Sequence, residues 1–199
     1  PLLVYARTSG KVNGVGYAVS LAGELLKLRS NVRILLVGDG SEREMIIDQA
    51  RSCNVLNRVL FIEDQLTKRE IHSLFSAATM CSSLFLDIPE MRVNSANKFF
   101  DGLAAGKPIF INYGGWMHDI VVKHHCGISA WRTPINQVAL EIHSCLNNDL
   151  WLESSGRSAR SLAERYFDRD LLASQLERVL SASSARYKNR AELIAPGLY

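Results

Sequence analysis

Residues 32–51 read VRILLVGDGSEREMIIDQAR, and this stretch decides the fold. Its first six residues are apolar except for Arg33, and three of them are β-branched, which is typical of a buried strand. A Gly-Asp-Gly turn ends the run, and Ser41-x-x-Glu44 then has the spacing of a capping box at the start of a helix. Thr67-x-x-Glu70 repeats this spacing further along the chain. The stretch therefore predicts a strand, a glycine turn and a helix, and the chain contains further units of this kind.

The strand–loop–helix order continues on both sides of this unit. Strands are predicted at residues 2–5, 32–37, 59–62, 81–88 and 109–111, and a short segment at residues 126–129 follows a further helix. Helices are predicted between them, notably at residues 97–105 and after a Thr133 cap with Pro134 at the first helical position. Short apolar strands alternating with helices form a parallel sheet covered on both faces. We therefore predict an α/β, doubly wound, Rossmann-like domain in residues 1–165 and a helical tail in residues 166–199.

The composition is that of an ordinary globular chain. It has 199 residues, of which 47% are hydrophobic and 22% are charged, and its formal net charge is +3 at pH 7. This balance argues against nucleic acid as the main partner. The four cysteines lack metal-ligand spacing, so we expect reduced thiols, no metal site and a cytoplasmic location. No apolar run approaches the ~20 residues of a membrane-spanning helix.

Glycines gather in the loops where a doubly wound sheet binds ligands, at the carboxyl ends of its strands. Asn13-Gly14-Val15-Gly16 precedes a predicted helix. Glycine allows a ligand to approach the backbone closely, and a helix N-terminus offers N–H groups and partial positive charge to a phosphate. Gly38 begins a second such turn. A plain tight turn is the alternative at both positions, and no Walker pattern occurs in the chain.

A third loop carries the largest group of polar side chains. Asn94, Ser95 and Asn97 offer hydrogen-bond donors and acceptors that suit sugar hydroxyls. Lys98 supplies a positive charge for a phosphate, and Asp101 can accept hydrogen bonds from two neighbouring ribose hydroxyls. The alternative is structural: Ser95 as a helix cap, the asparagines as turn residues, and Lys98 and Asp101 as solvated helix charges.

Several segments of the chain match motifs of a known family. Arg7 with Asn13-Gly14 is similar to a G-R-x(5)-K-G loop, and residues 34–40 match a strand that ends in Gly-Asp-Gly. NKFFDGLAAGKP at residues 97–108 is similar to E-A-M-A-x-G-x-P, and Gly114-Gly115 matches the turn that follows. Together they resemble the C-terminal half of GT-B glycosyltransferases of retaining family 4. The Asn-Lys-x-x-Asp version most resembles a subgroup that builds bacterial surface polysaccharides.

The resemblance implies a role for each matched residue. Arg7 and Lys98 would be the catalytic cations that stabilise charge on a leaving diphosphate, which the backbone near Gly14 also contacts. Asp101 would bind the ribose hydroxyls. The loop that contains Asn94, Ser95 and Asn97 would hold the donor sugar and the distal phosphate.

Three positions depart from the family pattern. Asn13 stands where the family has a lysine, so Lys11 or Lys98 would have to supply that charge. Val93 stands where the family has the first glutamate of an E-x(7)-E motif, and Asp101 is shorter than the second one. These departures leave open which sugar is bound and whether the domain is catalytic.

The resemblance implies the donor-binding half of a retaining, metal-independent glycosyltransferase without a further cofactor. The donor would be a nucleotide sugar, with uridine favoured and guanosine second. The acceptor, a polysaccharide or a lipid-linked molecule, would bind an N-terminal Rossmann domain that is absent from this chain. Because the sequence begins with Pro1 and enters a strand at once, we expect it to be part of a larger protein. Alone it would bind donor without turnover.

Two further interpretations remain open at the level of the sequence. A non-catalytic nucleotide-sugar-binding subunit fits the departures at Asn13 and Val93, and a GT-B nucleotide-sugar epimerase would share the same loops.

The arginine-rich tail is either a solvated charged face or a surface that approaches the inner face of a membrane, where a polyprenyl-diphosphate-linked acceptor would be held. His118 follows the Gly114-Gly115 turn, and a donor-site role is one of its interpretations.

Overall fold

The computed structural model of the protein describes residues 1–6 and 10–194, with side chains through residue 184. Six parallel strands form one sheet in the order β3-β2-β1-β4-β5-β6. The strands are β1 Leu2–Ala6, β2 Arg33–Val37, β3 Leu60–Glu63, β4 Met80–Ser83, β5 Ile109–Ile111 and β6 Gly127–Ser129. The predicted α/β, doubly wound sheet is confirmed.

The helices lie on both faces of the sheet. They are α1 Gly16–Lys27, α2 Arg43–Ser52, α3 Lys68–Ala77, α4 Pro89–Arg92, α5 Asn97–Ala104, α6 Trp116–His124, α7 Ile135–Leu146, α8 Asp149–Tyr166 and α9 Arg169–Ile194, with a 3-10 turn at Lys11–Asn13. Helices α1, α2 and α7 share one buried apolar cluster, and α3, α5, α6 and α8 share the other. Alternate residues of β1 enter the two clusters, Leu3 and Tyr5 on one face and Val4 and Ala6 on the other. This alternation follows from the period of two along a strand.

The chain reverses its winding direction between β1 and β4, which are neighbours in the sheet. Strands β2 and β3 lie on one side of this point, and β5 and β6 lie on the other. At such a switch point the loops after the two central strands diverge and leave a crevice at the carboxyl edge. The loops that follow Ala6 and Ser83 therefore border the crevice.

Three local predictions are wrong. Strand β4 ends at Ser83 rather than residue 88, because the chain leaves the sheet there and Leu86 donates its N–H to the Val12 carbonyl at 3.0 Å. The cap of α2 is Glu42 rather than Ser41, and no side chain caps that helix. The cap of α7 is Pro134 rather than Thr133. By contrast, the capping box of Thr67 and Glu70 at α3 is confirmed.

No helix in the described part of the chain combines the length and apolar character needed to cross a membrane. The division between residues 165 and 166 stays a prediction. In the structure α8 ends at Tyr166 and α9 begins at Arg169, so the two helices are separated by Phe167 and Asp168.

Candidate functional site

Two cavities lie at the carboxyl edge of the sheet. The larger cavity, of about 660 Å³, is bordered by the ends of β2 and β3 and by α3, α5 and the start of α9. Its polar lining residues are Asp39, Gln65, Lys68, His72, Asn97, Asp101 and Arg169. The smaller cavity, of about 270 Å³, is lined by Asn13, Phe85 and residues 94–98. Asn97 lines both cavities, so the two are adjacent.

The larger cavity contains three of the residues that the sequence singled out. Gly38 is buried in its wall, Asp101 is half-buried, and Asn97 is exposed at the first position of α5. The sequence analysis missed Lys68, His72 and Arg169. Lys68 and His72 are four residues apart on the helix that follows β3, so the rule that ligands bind at strand ends could have pointed to them.

Lys98 occupies the boundary between the smaller cavity and the core. Its side chain is buried, with 4% of the residue exposed, which rules out a solvated helix charge. Its Nζ donates hydrogen bonds to the Leu84 carbonyl at 3.0 Å, to Tyr5 Oη at 3.1 Å and to Asn13 Oδ1 at 3.2 Å. It also lies 4.1 Å from the ring centroid of Phe85 and 4.7 Å from that of Tyr5. These contacts compensate an ammonium group for its lost hydration.

Tyr5 remains a neutral partner of Lys98 over the ordinary pH range. Burial raises the pKa of the Tyr5 hydroxyl well above its usual value of 10.0, because the anion would lose its hydration. Its oxygen therefore accepts the hydrogen bond from Lys98 as a phenol. The position of Tyr5 near the end of β1 places the ammonium group at the switch point of the sheet.

Gly14 has a packing role in addition to any role toward a ligand. Its φ is +55°, in the left-handed region, and a Cβ built there would lie 2.8–2.9 Å from backbone atoms of Phe85 and Leu86. The loop before α1 therefore presses directly against the loop after β4, and only glycine permits both the conformation and this approach. Lys11, in the adjoining 3-10 turn, is exposed and lines neither cavity.

Asn94 and Ser95 lie on the rim of the smaller cavity, as predicted from their loop position. Ser95 is not the cap of α5, because the cap is Ala96 and no side chain caps that helix. Asn94 does have a turn role: its Oδ1 accepts the Ser95 N–H at 2.8 Å and its carbonyl accepts Trp116 Nε1–H at 2.9 Å. Its side chain thus braces the loop that it belongs to.

The loop after β4 is held to the neighbouring loops by Asp87. Its carboxylate accepts two hydrogen bonds from Arg92, at 3.0 and 3.1 Å, and one from Trp131 Nε1 at 3.1 Å. The hydrogen bonds from Arg92 lower the pKa of the Asp87 carboxyl below its ordinary range. Gly114 and Gly115 pack against this group, since a Cβ on Gly114 would meet the Trp131 ring at 2.4 Å. We call Asp87, Arg92 and Trp131 the loop clamp.

Among the described residues, His118 and Val93 lie outside both cavities. His118 accepts or donates a 2.7 Å hydrogen bond between Nδ1 and Ser129 Oγ, packs edge-on against Trp131, and lines neither cavity. Val93 is 80% exposed. Arg7 lies outside the described residues. Within residues 1–6 and 10–184, no three histidine, cysteine or acidic side chains gather where they could hold a metal ion.

The sequence was compared with family models and with curated proteins. No family model matches the sequence. A curated relative, glycogen synthase of Mycobacterium tuberculosis, is 22% identical over 181 residues, which cover 91% of this chain and 42% of the relative. The chain thus spans less than half the length of the curated relatives that it matches.

Solved structures with the same fold include three informative examples. Sucrose-phosphate synthase of Thermosynechococcus elongatus is 20% identical, with a TM-score of 0.75 over 92% of this chain and 46% of its own. Anabaena HepE in complex with UDP-glucose is 16% identical, with a TM-score of 0.74 over 91% and 48%. The C-terminal domain of the group 1 glycosyl transferase LpcC of Francisella tularensis is 12% identical, with a TM-score of 0.66 over 84% and 86%. The chain has the Rossmann-like fold of GT-B glycosyltransferase domains.

Proposed function

We propose that this chain is the donor-binding domain of a retaining glycosyltransferase whose donor is a nucleotide sugar, with UDP as the favoured nucleotide. The observation that carries the proposal is the pair of adjacent cavities at the carboxyl edge of the sheet, which meet at Asn97. Asp101 lies in the larger one and Lys98 in the smaller one. The fold shared with HepE, whose structure contains UDP-glucose, supports this assignment.

The dimensions of the site support a nucleoside in the larger cavity. Its volume of about 660 Å³ falls in the usual range for small-molecule sites. In this arrangement Asp101 accepts hydrogen bonds from the ribose hydroxyls, and Gly38 leaves room beside the base. The diphosphate extends toward α1, which begins at Gly16, and the sugar reaches the loop formed by residues 94–98.

The proposed reaction breaks the bond between the sugar C1 and the diphosphate oxygen. Positive charge develops on the sugar ring while the leaving diphosphate gains negative charge. The N-terminus of α1 and the ammonium group of Lys98 would stabilise that negative charge in the transition state. Arg7 remains a predicted contributor. The acceptor oxygen then bonds to C1 on the face that the diphosphate left, and its proton passes to a base.

The remaining parts of the proposal rest on the sequence resemblance. They are retention of configuration, metal independence, a polysaccharide or polyprenyl-linked acceptor, and an N-terminal Rossmann domain that binds it. A peripheral position at the inner face of a membrane also belongs here, and the structure offers it little support. Arg157 and Arg160, on α8, pair with Glu153 and Glu164 of the same helix, which reduces their free positive charge.

A non-catalytic nucleotide-sugar-binding domain is the second candidate function. Its specific support is Val93, an exposed apolar residue at the position where the family carries a carboxylate near the donor sugar. Both candidates predict donor binding by this chain. They differ when the chain is joined to an acceptor-binding domain, where only the first predicts release of nucleoside diphosphate.

Calorimetric titration with UDP, UDP-glucose, UDP-N-acetylglucosamine and GDP tests the shared part of the proposal. We expect binding of a uridine nucleotide, with the same affinity in EDTA as in magnesium. In a parallel thermal-shift assay, the free energy of unfolding of the protein should rise by about 2.7 kcal/mol when the ligand concentration is a hundred times its Kd. A strict magnesium requirement contradicts metal independence. If no nucleoside diphosphate binds at millimolar concentration, the proposed function is contradicted and only the assignment of the fold stands.

A further inference from the structure

A further cavity lies at the edge of the sheet opposite the proposed donor site. Its volume is about 430 Å³, and it is lined by Leu26, Arg29, Ser30, Arg33, Arg58 and Val59. Arg33 is the first residue of β2 and Val59 directly precedes β3, so the cavity lies at the amino ends of these parallel strands. We call it the amino-edge cavity, and we call Arg29, Arg33 and Arg58 the arginine cluster.

The arginine cluster is not neutralised by carboxylates. Within residues 1–6 and 10–184, none of its three guanidinium groups forms an ion pair. The acidic side chains near the ends of α1 and α2, Glu24 and Asp48, pair instead with Lys27 and Arg51, each at 2.7 Å. Positive charges that line one cavity add to the potential inside it. The amino-edge cavity therefore attracts anions.

Backbone carbonyls hold two of the guanidinium groups in place. Arg33 Nη1 donates hydrogen bonds to the Ser30 carbonyl at 3.3 Å and to the Val32 carbonyl at 3.1 Å. Arg58 Nη1 donates one to the Asn54 carbonyl at 3.3 Å. Within the described part of the chain, Nε and Nη2 of both arginines have no hydrogen-bond partner. Because a guanidinium group carries its N–H donors in a planar fork, both arginines retain donors for an incoming oxyanion.

Arg29 occupies a backbone position that favours glycine. It directly follows the C-cap of α1, and its φ is +50°, in the left-handed region. Its N–H bonds the Leu26 carbonyl and the Ser30 N–H bonds the Leu25 carbonyl, both at 3.0 Å, which forms a Schellman motif. Glycine is the usual residue at this place because it lacks a Cβ. An arginine here therefore costs backbone stability, and a glycine variant can remove its charge without harming the fold.

We propose that the amino-edge cavity binds a phosphate monoester, at a site separate from the donor site. A phosphate monoester carries about 1.5–2 negative charges at pH 7 and three acceptor oxygens, so it can engage more than one guanidinium group at once. Guanidinium groups recognise phosphate through pairs of parallel hydrogen bonds. The cavity volume of about 430 Å³ falls in the range of small-molecule sites. The same chemical group occurs on soluble metabolites and on the headgroup of phosphatidic acid.

This inference does not depend on the proposed function, because the two cavities at the carboxyl edge are lined by other residues. Titration with glycerol 3-phosphate, followed through backbone amide signals in nuclear magnetic resonance, tests it directly. We expect the signals of Ser30, Arg33 and Arg58 to shift together, and sodium chloride at the same ionic strength to leave them in place. Unmoved signals at millimolar glycerol 3-phosphate overturn the proposal, as do equal shifts with sodium chloride. Shifts confined to the donor edge, at Asn97 and Asp101, also overturn it.

Two substitutions assign the binding to the arginine cluster. We expect Arg33→Gln and Arg29→Gly each to weaken glycerol 3-phosphate binding by about tenfold, the effect of one charge-assisted hydrogen bond. Arg51→Gln removes an exposed arginine that pairs with Asp48, and it is the matched control with unchanged affinity. If Arg51→Gln weakens binding as much as the other two variants, only the net charge of the protein matters, and the proposed site is wrong.

Arg29→Gly keeps the test decisive if Arg33→Gln does not fold, since Arg33 also bonds two carbonyls. Glycine suits the left-handed φ of +50°, so the melting temperature of Arg29→Gly should equal or exceed that of the unchanged protein while its affinity falls. A loss of affinity in this variant cannot then be attributed to unfolding. Unchanged affinity in Arg29→Gly overturns the role of the cluster.

Vesicles distinguish the two sources of the phosphate group. Sedimentation with phosphatidylcholine vesicles that contain phosphatidic acid is compared with sedimentation with pure phosphatidylcholine vesicles. Sedimentation that requires phosphatidic acid, and that Arg29→Gly weakens but Arg51→Gln does not, assigns the site to a lipid headgroup. Binding of glycerol 3-phosphate without such sedimentation assigns it to a soluble phosphate monoester.

Discussion

The two cavities at the carboxyl edge of the sheet are built in different ways. In the larger cavity, side chains from several elements project into open space, and Asp39, Gln65, Lys68, His72 and Arg169 are all exposed. In the smaller cavity, Lys98 is buried, and the backbone at Gly14 approaches the Phe85 backbone so closely that no Cβ would fit. The loop clamp holds the adjoining segment to the loops after β5 and β6.

Because the two cavities are built differently, we expect substitutions in them to change different properties of the protein. A site whose polar groups are already fixed by folding loses little conformational freedom when a ligand binds, so we expect the smaller cavity to be preorganised for the proposed ligand. The side chains that line the larger cavity are exposed, so we expect ligand binding to reduce their conformational freedom. Substitutions around the smaller cavity should therefore change the stability of the protein, whereas substitutions in the larger cavity should change mainly the affinity for the nucleotide.

The largest expected effect concerns affinity at Asp101. A partly exposed carboxylate that accepts hydrogen bonds from two ribose hydroxyls contributes about 1.5–3 kcal/mol in total, because water competes for both bonds. We expect Asp101→Ala to weaken UDP binding by one to two powers of ten in a calorimetric titration. Asp101→Asn should recover part of this loss, because the amide oxygen still accepts one bond. Both variants should still unfold cooperatively in urea, which shows that the fold tolerates the substitutions.

The ligand analogue 2′,3′-dideoxy-UDP provides the control for Asp101. It should bind the unchanged protein and Asp101→Ala about equally, because the contact is missing in both pairs. If Asp101→Ala still prefers UDP over the analogue as strongly as the unchanged protein does, Asp101 is not the ribose ligand. A large loss of stability in Asp101→Ala would instead break the contrast between the two cavities.

The loop clamp predicts a smaller effect of the opposite kind, on stability rather than affinity. Asp87→Asn should lower the free energy of unfolding at pH 7 by about 1 kcal/mol, the upper end for a partly exposed ion pair, since Arg92 binds with two hydrogen bonds. The pKa of the Asp87 carboxyl is lowered in the folded state. The difference between the two proteins is therefore fully present above about pH 5 and shrinks as the pH falls below the unfolded pKa of about 3.9.

Unfolding curves at pH 7 and pH 3 measure the effect of Asp87. Asp64→Asn is the matched control, because Asp64 also accepts a hydrogen bond from an arginine, Arg43, but its side chain is 93% exposed. The stability of that variant should change by less than 0.5 kcal/mol. A difference between Asp87→Asn and the unchanged protein that is as large at pH 3 as at pH 7 would show that the ionised carboxylate is not the cause.

The sheet could be predicted from sequence because its determinants are local. Short runs rich in apolar residues, between glycine, proline and polar turns, predicted five of the six strands. Strand β4 was predicted too long because Leu84, Phe85 and Leu86 continue as an apolar run beyond the end of the strand. Its early end depends on Val12 and Asn112, which bond Leu86 and Phe85 across long sequence separations.

The sequence predicted where the candidate site lies, but not how its side chains are arranged. The rule that ligands bind at strand ends located Gly14, Gly38 and the loop of residues 94–101 near the two cavities. No local pattern distinguishes Lys98 from a solvated lysine, because its burial is produced by Tyr5 and Leu84. Arg169 lines the larger cavity from the first position of α9, and its place depends on how the preceding helix, α8, packs against α5.

The two capping-box patterns also show that a local sequence pattern does not by itself determine the structure that forms. Ser41 lies in a tight turn in which Arg43 N–H bonds the Gly40 carbonyl at 3.0 Å, so the serine precedes the helix start by two residues. Thr67 is in place: its Oγ1 accepts the Glu70 N–H at 3.3 Å, and Glu70 Oε2 accepts the Thr67 N–H at 2.8 Å. The formed box anchors the helix that contributes Lys68 and His72 to the larger cavity.

The smallest predicted effect compares these two positions. Thr67→Ala should lower the free energy of unfolding by about 1 kcal/mol, the usual loss for an N-cap, whereas Ser41→Ala should change it by less than 0.5 kcal/mol. The hydrogen bond from the Thr67 side chain lowers the pKa of Glu70 in the folded state, so the Thr67→Ala difference should diminish as the pH falls through the range where Glu70 protonates. Urea unfolding at pH 7 and pH 3 provides the measurement. If both variants lose the same free energy of unfolding, the hydrogen bonds of the capping box at Thr67 do not stabilise α3, the helix that contributes Lys68 and His72 to the larger cavity.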